Sequence, residues 1–336
     1  MTQPEVRRVV TGHRDGQAVF LSDGSPPHTV ATPDGVRVSE LLWLDQPPRT
    51  AADGDDQEGG FDLEPPPGGL SLRIITFPPP APDASEDERW IRLATEDPER
   101  PGMHATDTLD FMAVLDGEIV LGLDDGEHHL RQGDCVVQRG NAHRWRIAGD
   151  HPCTDAVAMV RPTGRGSEPV EVETPAPGTT SSWRRLVAGT DADGRSHAVV
   201  DGPASVVYEP AGPGGVSLVE LWQTGGPLAE PGQGGDPEGS WQLEPRNGGV
   251  AFRAIEMPPG LDSGEAGWHT TDTIDVDIMI SGRLQMELPD LDPIVLGPGD
   301  AVVQRGTHHK WTPVGDEPVR YVVLMVAVQP EETRPA

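Results

Sequence analysis

The sequence is short of several things, and each shortage closes off a class of function. No apolar run reaches transmembrane length, and the opening MTQPEVRRVV lacks an apolar signal core. A soluble, cytoplasmic protein with no membrane partner is expected. Basic residues are few: 25 Lys and Arg stand against 55 Asp and Glu, a formal net charge of -30. Such a surface repels a phosphate backbone, so no nucleic-acid partner is expected. There are 2 cysteines, Cys135 and Cys153, and they are expected as buried free thiols in a reducing compartment. Phosphate-cradling glycine loops, CxxC and GxSxG are all missing, which leaves nucleotide-dependent and serine-hydrolase chemistry without support.

What is present is a duplication. HATDTLD at 104–110 returns as HTTDTID at 269–275, each followed by an apolar run that ends at a glycine, Gly117 or Gly282. Further on, GDCVVQRGNAHRW at 133–145 answers GDAVVQRGTHHKW at 299–311. The correspondence extends outward. RRVVTG at 7–12 matches RRLVAG at 184–189, and FDLEPPPGG at 61–69 matches WQLEPRNGG at 241–249. A complete internal repeat predicts two domains, at 1–165 and 183–336. The stretch 166–182, rich in Pro, Gly, Ser and Thr, reads as a linker.

Counts of 41 Gly and 36 Pro suit short strands separated by turns. In the first half strands are expected near 16–22, 38–43, 71–77, 108–115, 118–123, 127–130, 134–138, 143–147 and 155–161. No segment keeps a helical period for three turns, so at most one short helix per half is expected, near 86–94 in the first. Side chains on a strand alternate faces, so His104, Thr106, Thr108 and Asp110 share one face. His269, Thr271, Thr273 and Asp275 do the same. Burying such a face without partners is costly, so it faces water or lines a polar cavity.

The two paired stretches resemble the two motifs of the cupin superfamily. The first cupin motif, HxHxxxE and then a glycine, maps onto His104, Thr106, Asp110 and Gly117, and again onto His269, Thr271, Asp275 and Gly282. The second, a glycine and then a histidine three positions on, maps onto Gly140 and His143, and onto Gly306 and His309. Threonine replaces the second histidine of the motif, and aspartate replaces the glutamate. The resemblance implies an all-β chain of two double-stranded β-helix, jelly-roll-like barrels in tandem, a bicupin. It also implies ligands for one divalent metal per barrel at most: His104, Asp110 and His143, and His269, Asp275 and His309. Two imidazoles and a carboxylate suit Fe, Mn, Ni or Zn. The alternative is a metal-free polar pocket, with His104–Asp110 and His269–Asp275 hydrogen-bonded.

Thr106, Thr108, Gln138, Thr271, Thr273 and Gln304 are expected to line a ligand pocket. His308 and Asp277 are candidates for acid or base, and the first half has Ala142 and Met112 in their places. Arg139 and Arg305 are expected in structural roles, and Trp145 and Trp311 in the pocket wall or the core. Arg73, Glu64, Arg253 and Glu244 recur without an evident role. Two functions fit. One is a metal-dependent bicupin enzyme acting on a small organic molecule, by oxygenation or by lyase or isomerase chemistry. The other is a non-catalytic bicupin that binds a small-molecule ligand. Assembly as a homo-oligomer stays open.

Overall fold

The computed structural model describes residues 5–54, 62–93, 96–163, 181–204, 206–209, 215–224, 226, 234–235, 242–245 and 248–328. The linker expected at 166–182 lies outside the described residues up to position 180. The chain is all-β, and each half of the repeat supplies most of one barrel, a large sheet closed over by a three-stranded one. In the first barrel the large sheet runs Ser196–Pro203, Arg184–Thr190, Cys135–Arg139, Leu109–Asp116, Cys153–Val160, Leu70–Phe77, Arg37–Leu44, Thr29–Ala31. Its small sheet runs Arg144–Ile147, Glu118–Leu123, Gly126–Arg131. In the second, the large sheet runs Val206–Tyr208, Ser217–Thr224, Val250–Met257, Val319–Ala327, Thr273–Ser281, Ala301–Arg305, Arg8–Arg14, Gln17–Gly24. The small sheet there is Ile294–Leu296, Leu284–Glu287, Lys310–Pro313.

These orders contain an exchange. The hairpin of Arg8–Arg14 and Gln17–Gly24 belongs to the first half by sequence but to the second barrel by hydrogen bonding. Arg8, Val9 and Val10 run parallel to Ala301, Val302 and Val303. Reciprocally, Arg185, Leu186, Val187 and Ala188 run parallel to Cys135, Val136, Val137 and Gln138 of the first barrel. Each half thus lends its first hairpin to the other.

The exchange explains why the central strands are apolar on both faces. In Leu109–Asp116, Phe111, Ala113 and Leu115 face a core shared by the two halves, where the Phe111 and Phe252 rings lie 5.4 Å apart. Met112 and Val114 face the interior of barrel one with Leu121, Val136 and Ile147. The second interior is built alike from Met279, Leu284, Trp311 and Tyr321. At the end of each motif strand the chain reverses at Gly117 (φ 82°) or Gly282 (φ 76°). A Cβ there would sit 2.4 Å from the Pro152 carbonyl oxygen, or 2.6 Å from that of Pro318. Glycine satisfies both the left-handed backbone and the close approach.

All nine strands expected in the first half form, within a residue or two. Two others, Arg8–Arg14 and Thr29–Ala31, were not anticipated. The helix expected near 86–94 is a single 3-10 turn, Asp87–Arg89. It stops because Trp90 turns extended and bridges to Arg146. Cys135 and Cys153 are free and buried, and burial pushes both thiols up. Among the described residues, no helix is long and apolar enough to cross a membrane.

Candidate site at the barrel mouths

Each mouth is built on a pair of histidines joined through the backbone. The His104 N–H donates to the His143 carbonyl at 2.9 Å and the His143 N–H returns the bond at 2.8 Å. His269 and His309 do the same, at 3.0 Å each way. The imidazoles are thereby brought to 4.3 Å and 4.2 Å between ring centroids. All four Nδ1 atoms face a backbone carbonyl two residues back. His104 meets Gly102 at 2.8 Å, His143 meets Asn141 at 2.9 Å, His269 meets Gly267 at 2.9 Å, and His309 meets Thr307 at 2.9 Å. A carbonyl only accepts, so Nδ1 carries the hydrogen and Nε2 keeps the lone pair. Burial, with the paired histidine adding to it, pushes His143 and His309 down to about 3. Both rings stay neutral at any ordinary pH.

The carboxyls stand on the neighbouring inward positions. Asp110 lies opposite Gln138 and Met159, and Asp275 opposite Gln304 and Met325. The hydroxyl of Thr106 donates to Asp110 Oδ2 at 3.2 Å, and that of Thr271 to Asp275 Oδ2 at 2.9 Å. Each Oδ1 is buried with no hydrogen-bond partner. Burial raises Asp110 to about 7, against the nearby hydroxyls of Thr108 and Thr106. It raises Asp275 to about 6, against those of Thr273 and Thr271. The threonine in the place of the second motif histidine therefore serves the carboxyl.

Gln138 and Gln304 are held by their own turns. Asn141 Nδ2 donates to Gln138 Oε1 at 3.2 Å. Gln304 Oε1 accepts from the hydroxyls of Thr307 and Thr11. Thr11 lies on the exchanged hairpin, so the first half of the chain reaches into the shell of the second barrel's site. Ala188 holds the matching place in barrel one, opposite Gln138. Trp145 and Trp311 stand edge-on to His143 and His309, with ring centroids at 6.0 and 5.5 Å. Arg139 reaches over the Trp222 ring and Arg305 Nη1 donates to the Ala52 carbonyl, so both arginines tie one half to the other.

The recurring residues that the sequence left without a role acquire one. Arg73 and Glu40 form a buried ion pair at 3.1 Å, and Arg253 and Glu220 another at 2.8 Å. Arg73 also donates to the carbonyls of Leu63 and Asp62, and Arg253 to those of Leu243 and Gln242. Glu64 accepts the Asp107 N–H at 3.3 Å and Glu244 accepts that of Asp272 at 3.0 Å. Together they pin the repeated LEP stretch beside the HxTDT stretch in each half. Their recurrence was the available signal. The Arg–Glu pairing depends on register, which recurrence does not reveal.

His308 lies outside this assembly. It is exposed, contacts Thr270 Oγ1 at 3.0 Å and stacks on Trp268. Its neighbour His309 faces inward, so His308 turns outward by alternation. Asp277 does face the barrel interior, opposite Val302 and Val323.

The donors meet half of what a metal requires. Imidazoles with Nδ1–H fixed by carbonyls and Nε2 free suit a metal ligand. The carboxylate does not join them. Among the described residues no group of three or more His, Cys, Asp or Glu side chains comes together to hold a metal ion. The expected sets His104, Asp110, His143 and His269, Asp275, His309 are thus two-histidine pairs with the aspartate turned to threonine. The His–Asp hydrogen bonds of the metal-free alternative are replaced by the same threonine contacts.

No family model matches this chain. It is 31% identical over 159 residues to phomopsin biosynthesis cluster protein C' of Diaporthe leptostromiformis, covering 43% of this chain and 72% of that protein. It is 30% identical over 151 residues to the cupin-domain-containing oxidoreductase virC of Hypocrea virens, covering 42% of this chain and 69% of that protein. Among solved structures, the putative glyoxylate induced protein of Pseudomonas aeruginosa superposes with a TM-score of 0.50, at 12% identity and 99% coverage of both chains. That likeness extends the shared fold over both barrels. On these sequence matches and this architecture, the chain belongs to the cupin superfamily.

Proposed function

We propose that the chain is a cupin enzyme that moves protons on a small organic molecule bound in the barrel mouths, in the manner of a lyase or isomerase. One observation carries this reading. Each mouth holds a buried carboxyl whose proton affinity burial has moved to about 7 or about 6, close to working pH. A carboxyl tuned there can take a proton and return it, which an ordinary aspartate does poorly. Asp110 and Asp275 are the acid–base groups of this reading. The Nε2 atoms of His104, His143, His269 and His309 hydrogen-bond the ligand and orient it. Trp145 and Trp311 supply an apolar wall.

The test is hydrogen exchange in D₂O, followed by NMR on a panel of small carbonyl compounds. Wild-type protein is expected to exchange the hydrogen next to the carbonyl in at least one of them. The base is active when ionised, so the rate should rise with pH through about 6–7. Asp110→Asn with Asp275→Asn should lower it by about 100-fold or more, the usual scale for losing a general base. Exchange that survives the double substitution sinks the assignment. Binding without exchange across the panel favours the non-catalytic reading.

A second reading follows from the Hypocrea virens relative, which is described as an oxidoreductase. Oxygenation or other redox chemistry would need a metal held by a histidine pair and a further donor. Elemental analysis of the purified protein decides it. Stoichiometric iron, manganese, nickel or zinc that His104→Ala or His269→Ala removes would displace the proton-transfer reading.

A further inference from the structure

Below the mouth the two barrels are not copies. On the inward face of Thr273–Ser281, Asp275 is followed by Asp277 and Met279. The corresponding face of Leu109–Asp116 carries Asp110, Met112 and Val114. Tyr321 sits opposite Met279 in the second barrel, and Asp155 sits opposite Val114 in the first. Asp277 is 6% exposed and Tyr321 2%. Neither side chain has a hydrogen-bond or ion-pair partner among the described residues. Arg253 lies in the same row as Asp277, beyond Val323, but is already matched by Glu220 at 2.8 Å. The second interior thus holds two neighbouring carboxyls and a phenol, all buried; burial beside Asp275 raises Asp277 well above its ordinary value, and Arg253, the cation that acts on Asp275, is already paired with Glu220.

A buried polar group without a partner is costly, and a buried charge more so. Groups arranged this way are satisfied by a ligand that brings both positive charge and several donors. A protonated amine has three N–H donors and one charge, and charge-assisted bonds to carboxylates are the strong ones. An alcohol brings a single donor and no charge.

We propose that the second barrel binds the protonated amine of a small organic ligand, with Asp277 as its counter-ion and the Tyr321 hydroxyl as a further acceptor. The first barrel has Met112 at the position of Asp277 and so lacks this counter-ion. The two mouths are then alike in chemistry and unlike in specificity. This rests on the mouths being ligand sites, as proposed above, and names the ligand class of one of them.

The test is isothermal titration of the whole chain with n-butylammonium chloride, and separately with 1-butanol, which keeps the carbon chain but loses the charge. Butylammonium is expected to bind once per chain and at least tenfold more tightly than 1-butanol. Asp277→Asn should weaken it by at least tenfold. Tyr321→Phe, a milder change should Asp277→Asn fail to fold, should weaken it by a few-fold. Asp155→Asn, in the other barrel, should leave it unchanged. Equal affinity for the two probes, or wild-type affinity in both Asp277→Asn and Tyr321→Phe, overturns the amine assignment while leaving the mouths as ligand sites. Failure of butylammonium to bind overturns the amine assignment, and failure of both probes together with absent hydrogen exchange overturns both readings.

Discussion

Asp155→Asn is expected to stabilise the protein by several kcal/mol at pH 9 and by only about 2 kcal/mol or less at pH 5. Asp155 faces the interior of the first barrel between Val114 and Ile75, and it is 2% exposed. Its Oδ1 has no hydrogen-bond partner. Burial raises it from 3.8 to about 8. The unfolded chain releases this proton near the ordinary value, while the folded chain keeps it until about 8. Between those limits the folded state holds more protons, so stability falls as pH rises and the loss is complete above the folded value. Every tenfold gain in proton affinity on folding is worth about 1.4 kcal/mol, so the loss is on the order of 5 kcal/mol. Asparagine keeps the shape and cannot ionise. Urea unfolding of both proteins at pH 5, 7 and 9 reads this directly. Two curves that stay parallel across the range would show that Asp155 is not a buried neutral acid.

The second large effect is expected at Arg253 and Glu220. Both side chains are about 1% exposed, and their ion pair spans adjacent strands at 2.8 Å. Arg253→Met leaves a carboxylate buried without its guanidinium, and it also strips the donors from the Leu243 and Gln242 carbonyls. Breaking a buried pair from one side costs about 3–5 kcal/mol. Removing both charges, in Arg253→Met with Glu220→Gln, should cost less than the two single losses added together. Glu40 and Arg73 should behave alike in the first barrel. Denaturation midpoints of the two single variants and the double variant test this, and simple additivity would mean the pair is not coupled.

Much of this was legible in the sequence, for identifiable reasons. The set of His, Thr, Thr and Asp could be read off 104–110 as one group, although the strand itself begins only at Leu109 and His104 is placed by its bridge to His143. Alternation between adjacent positions separates His308 from His309. The partner of the carboxyl was harder. Thr106 and Asp110 share a face, but whether the hydroxyl turns to the carboxyl is a question of side-chain rotation. The Glu40–Arg73 pair was out of reach because it depends on which strand lies beside which. The strand Arg8–Arg14 was missed for the strongest form of that reason. RVV is a brief apolar run, and what makes it a strand is Ala301–Arg305, at the other end of the sequence.

That distance bears on how the protein comes to be made. Val9 leaves the ribosome long before its partner Val302. Until then the opening hairpin has no sheet to join. The first barrel, whose own residues are complete by Val160, waits with Cys135–Arg139 as an open edge until Arg184–Thr190 arrives. Contacts of such long sequence separation slow folding, and an unpaired edge is where one nascent chain captures another. Synthesis rate should therefore matter here more than for a chain of two independent barrels. Slowed elongation past residue 190 would lengthen the time the second barrel stands unclosed, and the yield of correctly folded protein should fall with it.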